Sequence, residues 1–364
     1  MRGAFFILLI LVCLSLLIFS LPCDIRDTVT IEGLDTSFHY RSNTIGELNV
    51  TIVKEWEALG ETIHPFKSKD EMVVEIRPNP VDYKQNNDVA ICRSDTYLIL
   101  FYPSRVMDAG IRKLIRRNVP QGVIVNGKRV NRVFVIAVSE SDKEKLEFIQ
   151  EEKAVYGDIV ISLHQDSLAS IAQSVWDGFL WIRNHCKHTV FAAKVDPDEV
   201  IFLGNLINYL GHAPRVRFYG GNYREFVMKA RKEGDKLVYF PIDYPYTSRV
   251  TYVSGALIIL SMDIIDYIIV GAQYEPFFAR CTDDFMIGAV LNRVGIIPNR
   301  LIIPNCTLLE LNTNPNNSYE DYNKVSNHVV VYHGMKKEEQ LAEALRVFGS
   351  RILTSTGCFD VSLR

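Results

Sequence analysis

The 364-residue sequence has little excess charge of either sign. Its 40 lysines and arginines nearly balance its 43 aspartates and glutamates, and the net charge of −3 argues against nucleic acid as its partner. The chain also has no C-x-x-C pair, so we do not expect a structural zinc site of the ribbon or finger type. It contains no internal repeat and no low-complexity tract, which excludes solenoid repeats and biased linkers.

Two common nucleotide-binding motifs are absent as well. No G-x-G-x-x-G follows the first predicted strand, so the main signature of a dinucleotide-binding Rossmann fold is missing. The segment GVIVNGKR at residues 122–129 is close to a phosphate-binding P-loop, but Arg129 stands where serine or threonine is required. Bulky apolar residues fill this loop, and it leads into a predicted strand instead of a helix. We therefore exclude a P-loop.

The sequence contains one long uncharged apolar run, AFFILLILVCLSLLIFSL, at residues 4–21. A helix of this length spans roughly 27 Å, close to the core of a thin bilayer. The run is longer than most signal-peptide cores and ends in a poor cleavage site, which favours an uncleaved transmembrane signal anchor. Arg2 precedes it, so residues 1–3 are expected in the cytoplasm and the rest in a lumen. Cleavage and secretion are the alternative.

Beyond this run we expect a luminal stem at residues 22–88 and one large domain at residues 89–364. The sequons at Asn49, Asn305 and Asn316 are candidate glycosylation sites and agree with a luminal location. Six cysteines follow the run and can form disulfides in an oxidising compartment, although sequence alone does not fix their pairing.

From residue 89 onward, apolar runs alternate with helical periodicity. Strands are predicted in TYLILFY, NRVFVIAVSES, DIVISL and HTVFAAKVD, and helices in AGIRKLIRRNV, KEKLEFIQEEKAVYG and SLASIAQSVWDGFLWIRNHC. This alternation predicts an α/β fold with a largely parallel central sheet flanked by helices. Runs such as VFVIAV are typical of strands that are covered on both faces. Trp176 and Trp181 on the long helix are predicted to lie in the core.

Asp196 and Asp198 follow the predicted strand TVFAAKV, with Pro197 between them. Proline has no N–H to donate to a sheet, so the strand is expected to end here. Ligands of open α/β sheets bind outside the carboxyl ends of the strands. Two carboxylates held close together repel unless a cation neutralises them, and oxygen ligands suit Mg²⁺ or Mn²⁺. The alternative is an exposed loop that happens to contain two aspartates.

Six segments in order resemble the motifs of the β-1,3-galactosyltransferases and β-1,3-N-acetylglucosaminyltransferases, a family that includes the more distant fringe enzymes. The segments are RKLIRRNV with Arg112 and Arg116, the acidic residues Glu151 and Glu152 followed by Tyr156 to Ile159, the stretch from Lys194 to Asp198, YPYTSRVTYVSGALIILS at residues 244–261, DDFMIGAVLNRVGI at residues 283–296, and VVYHGMKKEEQ with His333. Each motif alone is weak, but their shared order over roughly residues 92–345 makes the resemblance specific.

The resemblance implies a GT-A glycosyltransferase fold and a type II anchor in the Golgi membrane, with the catalytic domain in the lumen. The implied reaction is an inverting transfer of galactose or an N-acetylhexosamine from a UDP-sugar to a hydroxyl of a glycan on a glycoprotein or glycolipid. The implied linkage is β-1,3, and the implied cofactor is Mn²⁺ or Mg²⁺.

The resemblance also assigns roles to individual residues. Asp284 is implied as the catalytic base, with Asp283 beside it. The implied metal ligands are Asp198, Asp196 and His333. Contacts to the donor are implied for Arg112, Arg116, Lys194 and Asp196, and contacts to the acceptor or sugar for Tyr244, Tyr252, Ser254 and Gly255. For the basic residues a surface salt bridge is the alternative, and for the acidic pair it is the first turn of a helix.

The sequence also departs from the family pattern. Pro197 replaces the middle aspartate of the family's triplet, and Val253 replaces a cysteine before Ser254. A catalytically inactive relative is therefore the alternative to an enzyme: a glycan-binding protein, or a chaperone or subunit of an active glycosyltransferase. The intact Asp198 and Asp284 favour the enzyme.

Overall fold

The computed structural model describes residues 91–167, 170–227, 249–274, 282–301, 303, 306–311, 322 and 325–354. The N-terminal apolar run, the stem, the three sequons and Tyr244 were assigned from the sequence and lie outside the described residues. Within these residues, no helix combines the length and the apolar character that crossing a bilayer requires.

The described part of the chain alternates strands and helices along most of its length. Its elements are, in chain order, β1 (Thr96–Ser104), α1 (Ala109–Asn118), β2 (Val123–Val125), β3 (Lys128–Ala137), α2 (Lys143–Tyr156), β4 (Ile159–Ser162), α3 (Ile171–His185), β5 (Phe191–Val195), β6 (Glu199–Ile201), α4 (Leu203–Gly211), β7 (Tyr219–Val227), β8 (Arg249–Ser261), a 3₁₀ turn (Met262–Ile264), α5 (Ile265–Tyr274), α6 (Asp283–Arg293), β9 (Thr307–Leu311), β10 (Val329–His333) and α7 (Glu338–Ile352). This order confirms the α/β architecture that the sequence predicts.

Local sequence signals account for several element boundaries. Asp142 accepts a hydrogen bond from the backbone N–H of Lys145 (3.2 Å) and so caps the first turn of α2. Gly157 ends that helix in the left-handed conformation, with a φ of 62°. Asn126 and Gly127 have φ angles of 48° and 73° and join β2 to β3 in a tight turn, as an Asn-Gly pair favours. The segment that is close to a P-loop is therefore a β-hairpin.

Seven of the described strands form one sheet in the order β2-β3-β1-β5-β8-β7, with β4 paired to the C-terminal part of β3. β1 pairs in parallel with β3 and β5, and β3 pairs in parallel with β4. β2 runs antiparallel to β3, β8 to β5, and β7 to β8. The sheet is therefore mixed, and the prediction of a mostly parallel sheet is wrong on the β8–β7 side. Because helices cover both faces, β8 has the continuous apolar run of a parallel strand, which hides its direction in the sequence.

Helices cover the two faces of this sheet. Phe101 lies in the core that contains residues of α3, α5 and α6. Its neighbour Leu100 lies in the opposite core, with residues of α1, α2 and α4. This alternation follows from the two-residue period of a strand. Trp176 and Trp181 are fully buried in the first core, as predicted.

A smaller sheet adjoins the C-terminal helix. In the described residues its order is β6-β10-β9, with β10 antiparallel to β6 and parallel to β9. Val200 of β6, Tyr332 of β10 and Phe348 of α7 share one buried apolar cluster. The chain reaches this sheet directly after β5, so a short loop joins the two sheets at the end of β5.

A disulfide joins Cys92, just before β1, to Cys186 at the end of α3, across 94 residues. In the chain-entropy model, closing a loop of this length stabilises a protein by roughly 4–5 kcal/mol. The bond agrees with the expectation that cysteines beyond the apolar run form disulfides in an oxidising compartment.

Candidate active site

The loop after β5 brings four potential metal ligands together with the end of β10. Asp196 and Asp198 belong to this loop, Glu199 begins β6, and His333 ends β10. One ligand atom of each residue lies within 4.8 Å of the others. The structure thus brings together the three residues implied as metal ligands and adds Glu199 to them.

Backbone pairing fixes this arrangement. β5 ends at Val195, and two residues after Pro197 the chain enters β6, where Glu199 lies opposite His333 in the antiparallel register with β10. The carbonyl oxygen of Asp198 accepts hydrogen bonds from the backbone N–H groups of Gly334 (3.3 Å) and Met335 (3.0 Å). The proline and the strand pairing therefore hold the acidic loop against the end of β10.

Glu199 is the most deeply buried member of the cluster. Its side chain has no exposed surface, and its Oε1 lies 3.1 Å from Nδ1 of His333. Burial raises the pKa of Glu199 well above its ordinary value, and the carboxylates of Asp196 and Asp198 add to this effect. Burial lowers the pKa of His333, which favours the neutral imidazole that metals bind.

Lys336 lies against the open side of the same cluster. Its ammonium group donates a hydrogen bond to Oδ2 of Asp198. The other oxygen, Oδ1, lies 3.8 Å from Nδ1 of His333. The lysine side chain is 70% exposed, so it can leave Asp198 without breaking buried packing. In this structure a protein cation therefore neutralises Asp198.

Lys194 links this cluster to a second acidic group. It is the fourth residue of β5 and is buried, with only 1% of its surface exposed. Its Nζ lies 2.5 Å from Oδ1 of Asp196, 2.8 Å from Oδ2 of Asp283 and 2.7 Å from the carbonyl oxygen of Gly255. Burial alone lowers the pKa of Lys194, but the two carboxylates outweigh it and raise the pKa above its ordinary value.

In this structure Lys194 donates two hydrogen bonds, to Asp196 and to Gly255, and forms an ion pair with Asp283. Lys194 therefore joins Asp196 to Asp283 inside the protein, and its implied contact with the donor remains a prediction. Burial raises the pKa of Asp196 to about 6 in this environment, against the opposing effect of Lys194.

Asp284, the implied base, is held by backbone groups and remains partly exposed. Its Oδ2 accepts a hydrogen bond from the backbone N–H of Gly255 (3.1 Å), and its Oδ1 accepts one from Phe285 (2.8 Å). Burial and the neighbouring charge of Asp283 raise the pKa of Asp284. A partly exposed carboxylate with a fixed orientation and a raised pKa has the properties of a general base.

Asp283 and Asp284 also occupy the first turn of α6. Negative charge is favourable there because the N-terminus of a helix carries a partial positive charge. The N-cap residue of the helix is Thr282, directly before the pair. The structural role that the sequence offered as an alternative is therefore present together with the contacts to Lys194 and Gly255.

Arg112 has no free N–H group in this structure for its implied contact with the donor. It is completely buried, and its guanidinium donates to both carboxylate oxygens of Glu152, to Ser104 Oγ and to the carbonyl oxygens of Arg105 and Val106. These five hydrogen bonds match its five N–H groups, so none remains for a donor nucleotide. Arg112 instead fixes the loop that follows β1.

Arg116, one turn further along α1, is bonded in a similar way. It donates to both oxygens of Asp158 (2.9 and 2.7 Å) and to Glu152 (2.6 Å). Its side chain is only 9% exposed and its guanidinium lies over the ring of Tyr156. Arg116 therefore takes part in a network that joins α1 to α2 and to the start of β4, and its implied contact with the donor remains a prediction. Glu152 and Asp158 belong to another segment of the same family resemblance. In the structure Glu152 accepts hydrogen bonds from both arginines, and Asp158 accepts two from Arg116.

Tyr252, Ser254 and Gly255, which the resemblance implies as contacts to the acceptor or sugar, all lie within β8. The ring of Tyr252 packs edge-on against Phe285, with ring centroids 6.0 Å apart. Gly255 contributes its backbone N–H to Asp284 and its carbonyl oxygen to Lys194. It is therefore a backbone link between the two acidic groups, whereas contact of Tyr252 or Ser254 with a sugar remains a prediction.

An open cavity of about 450 Å³ adjoins the acidic cluster at the C-terminal ends of β1 and β5. Residues that line it include Arg105, Asp108, Asp166, Asp196, Asp198 and Lys336. A second cavity, of about 630 Å³, shares Arg105 and Asp166 with the first and extends along the ends of β1 and β3. Both have the size of small-molecule sites and lie where open α/β sheets bind ligands.

Sequence reasoning missed several of these residues. Glu199 directly follows Asp198 in the run Asp-Pro-Asp-Glu, so its proximity to the pair was visible in the sequence. Lys336 lies three residues after His333 in the segment VVYHGMKKEEQ, so its proximity to the site was also visible in the sequence. Arg105 carried no signal, because it lies far from the acidic pair along the chain and reaches the cavity through the fold.

Comparison with known proteins supplies the wider context. A family model described as "Galactosyltransferase" matches residues 112–301, a region that contains Lys194, Asp196, Asp198 and Asp284 but not His333. The chain is similar to mouse (Mus musculus) beta-1,3-galactosyltransferase 5, with 22% identity over 60% of this chain and 70% of that protein.

The chain is also similar to mouse lactosylceramide 1,3-N-acetyl-beta-D-glucosaminyltransferase, with 26% identity over 56% of each chain. A third mouse relative is an acetylgalactosaminyl-O-glycosyl-glycoprotein beta-1,3-N-acetylglucosaminyltransferase, with 23% identity over 56% of this chain and 53% of that one. The chain thus spans little more than half of the length of these two relatives.

Two solved structures give weaker matches. Mouse xyloside xylosyltransferase 1 matches with a TM-score of 0.32 and 12% identity, over 66% of this chain and 97% of that one. The galactosyltransferase LgtC, in complex with donor and acceptor sugar analogs, matches with a TM-score of 0.35 and 12% identity, over 68% and 94%.

Proposed function

The chain belongs to the galactosyltransferase family, and from that premise we propose that it transfers galactose or an N-acetylhexosamine from a UDP-sugar to a glycan hydroxyl. The proposed reaction inverts the configuration at the anomeric carbon and forms a β-1,3 linkage. The names of the relatives support this choice of sugar class and linkage. We propose a GT-A arrangement for the described fold, in agreement with its mixed sheet and with the position of the acidic loop after β5.

One observation carries the proposal: Lys194 contacts both Asp196 and Asp283, so the potential metal ligands and the acidic pair belong to one site. A glycosyltransferase needs both groups within reach of one sugar. Two unrelated acidic surfaces would not need a shared buried lysine.

The residues present fit a divalent cation. Asp196, Asp198 and His333 offer oxygen and imidazole ligands, and the buried Oε2 of Glu199 has no hydrogen-bond partner among the described residues. In the proposed site Asp196, Asp198 and His333 hold Mn²⁺ or Mg²⁺. When bound, the ion supplies positive charge that stabilises the departing diphosphate.

The remaining chemistry belongs to the protein. Asp284 accepts the proton of the acceptor hydroxyl while that oxygen attacks the anomeric carbon, and UDP leaves from the opposite face. Gly255 and Phe285 keep the carboxylate of Asp284 in one orientation through their N–H groups. The two cavities that meet at Arg105 offer room for the nucleotide and the sugar of the donor.

We further propose the domain layout expected from the sequence: a cytoplasmic tail at residues 1–3, a signal anchor at 4–21, a stem at 22–88 and a catalytic domain at 89–364. The protein would then be a single-pass type II protein of the Golgi membrane. The Cys92–Cys186 disulfide supports a luminal body.

The test is release of UDP from a panel of UDP-sugars by the full-length chain, with and without Mn²⁺. We expect release with at least one donor, dependence on Mn²⁺, and loss of several orders of magnitude in Asp284→Asn, which cannot accept the proton. Glu343→Gln, which changes an exposed carboxylate paired with Arg346, is the matched control and should retain full activity. If no donor is consumed and Asp284→Asn changes no glycan in cells, the enzyme assignment fails and an inactive relative becomes the better interpretation.

A further inference from the structure

Glu199 is the member of the acidic cluster to which neither the motifs nor the family resemblance assigns a role. Its side chain is fully buried at the start of β6. Its Oε1 is 3.1 Å from Nδ1 of His333, and among the described residues its Oε2 has no hydrogen-bond partner. Buried polar atoms in proteins nearly always have partners, so the unpartnered Oε2 needs an explanation.

We propose that Glu199 is a direct ligand of the divalent cation, so that four protein side chains hold the ion instead of three. This inference rests on the proposed function, because it concerns the same ion. Asp196, Asp198, Glu199 and His333 each place a ligand atom within 4.8 Å of the others. One ion with metal–ligand distances of about 2.1–2.4 Å spans that separation.

The competing role for Glu199 is positioning. A carboxylate that accepts a hydrogen bond from a metal-bound histidine orients the ring without touching the ion. That role uses Oε1 and leaves Oε2 unexplained. A cation bound to Oε2 of Glu199 supplies the missing partner.

The four-ligand arrangement has a consequence for affinity. Three carboxylates and one imidazole provide most of the ligands that a six-coordinate ion requires. The chain should therefore bind the ion without a nucleotide, whereas a site with fewer protein ligands would depend on donor oxygens.

The test is a titration of the full-length chain with Mn²⁺ alone, followed by the electron paramagnetic resonance signal of free Mn²⁺. Wild type is compared with Glu199→Gln and with Asp108→Asn, a control that removes a carboxylate from the same cavity but from outside the cluster. We expect Mn²⁺ affinity to fall by at least about tenfold in Glu199→Gln and to stay within about twofold in Asp108→Asn.

Unchanged Mn²⁺ affinity in a folded Glu199→Gln protein would overturn the proposal, as would wild type that binds no Mn²⁺ without nucleotide. Near-ultraviolet circular dichroism reports whether the variant is folded. A loss of affinity shows that Glu199 supports the ion, but an outer carboxylate that only orients His333 can cause a similar loss. An anomalous-difference map from a Mn²⁺-soaked wild-type crystal therefore separates the two roles. A peak within about 2.4 Å of a Glu199 oxygen supports ligation, and one beyond about 3.5 Å refutes it.

UDP release is measured on the same preparations, so the two proposals can fail separately. Glu199-dependent Mn²⁺ binding without turnover of any donor refutes the proposed function and leaves the ligand assignment standing. Turnover with Mn²⁺ binding that is independent of Glu199 refutes the ligand assignment alone.

Discussion

Replacing Lys194 with methionine tests whether a buried ammonium group holds the two acidic groups of the site together. Nζ lies 2.5 Å from Asp196 Oδ1 and 2.8 Å from Asp283 Oδ2, so these oxygens are at most about 5.3 Å apart. Two unit charges at that distance repel by about 3 kcal/mol at an effective dielectric constant of about 20. Removal of one partner from a buried ion pair destabilises proteins by about 3–5 kcal/mol, which agrees with this figure.

We therefore expect Lys194→Met to lower the free energy of unfolding by about 3–5 kcal/mol, measured by urea denaturation at pH 7. Asp283→Asn in the same protein should recover part of the loss, because it removes one of the two repelling charges. Lys145→Met is the matched control: its Nζ–Asp142 contact is also 2.5 Å but lies on the surface, and its loss should leave the unfolding midpoint unchanged.

Mn²⁺ provides a second readout of the same variant. If Asp196 helps to hold the ion, added Mn²⁺ should raise the melting temperature of Lys194→Met more than that of wild type, because a cation then replaces the lost ammonium. A Lys194→Met protein that unfolds at the wild-type urea concentration would show that the lysine does not hold these carboxylates, and the argument for a single shared site would fail.

Four further variants test separate parts of the structure. Burial raises the pKa of Asp177 to about 7 from an ordinary value near 3.8, so the folded protein binds its proton more tightly than the unfolded chain. The stability that this proton contributes is fully present below about pH 4 and is lost as the pH rises through about 7. The melting temperature of Asp177→Asn should therefore vary less than that of wild type between pH 4 and 8. Equal pH profiles of the two proteins would refute this. Arg112→Met leaves Glu152 with one arginine partner, and we expect the free energy of unfolding, measured by urea denaturation, to fall by about 3–5 kcal/mol. An unchanged unfolding midpoint would contradict this. Cys92→Ser opens the 94-residue disulfide loop and should cost about 2–5 kcal/mol in the same assay, whereas reduction that leaves the wild-type midpoint unchanged would contradict this. Lys336→Met removes the cation that contacts Asp198, so Mn²⁺ should bind several-fold more tightly without nucleotide; weaker binding would show that the lysine assists the ion instead of competing with it.

The sequence predicted β1, β3, β4 and β5 and the three helices between them, because the apolar residues of each segment follow either the period of a strand or that of a helix. The short strand β2 was not predicted. The direction of β8 was not predictable in the same way. Both faces of β8 are buried, so its residues are apolar whether it pairs in parallel or antiparallel with its neighbours. Hydrophobicity therefore carries no information about the direction of β8 in the sheet. The mixed character of the sheet therefore emerged only from the strand pairing.

The site shows a similar division. Asp196 and Asp198 were identified because they follow a strand, and position at the carboxyl end of a strand is itself a signal. The partners of Arg112 and Lys194 were not predictable, because a sequence shows that a residue is basic but not how many acceptors surround it. In the structure Arg112 donates five hydrogen bonds to protein oxygens, and Lys194 donates two and lies 2.8 Å from a carboxylate oxygen of Asp283. Contacts between residues that are distant in the chain, such as Arg112 with Glu152, decide whether a basic side chain is used within the protein or is available to a ligand.

The pairing of β6 with β10 also limits what a shortened version of the protein could do. The family match ends at residue 301, whereas His333 and the two N–H groups that hold the carbonyl of Asp198 come from later residues. A fragment that ended at the family boundary would keep most of the signature motifs and still lose the histidine that completes the cluster of potential metal ligands. Resemblance within the matched segment is therefore insufficient to judge whether a related chain can bind a cation, and the later histidine strand has to be checked as well.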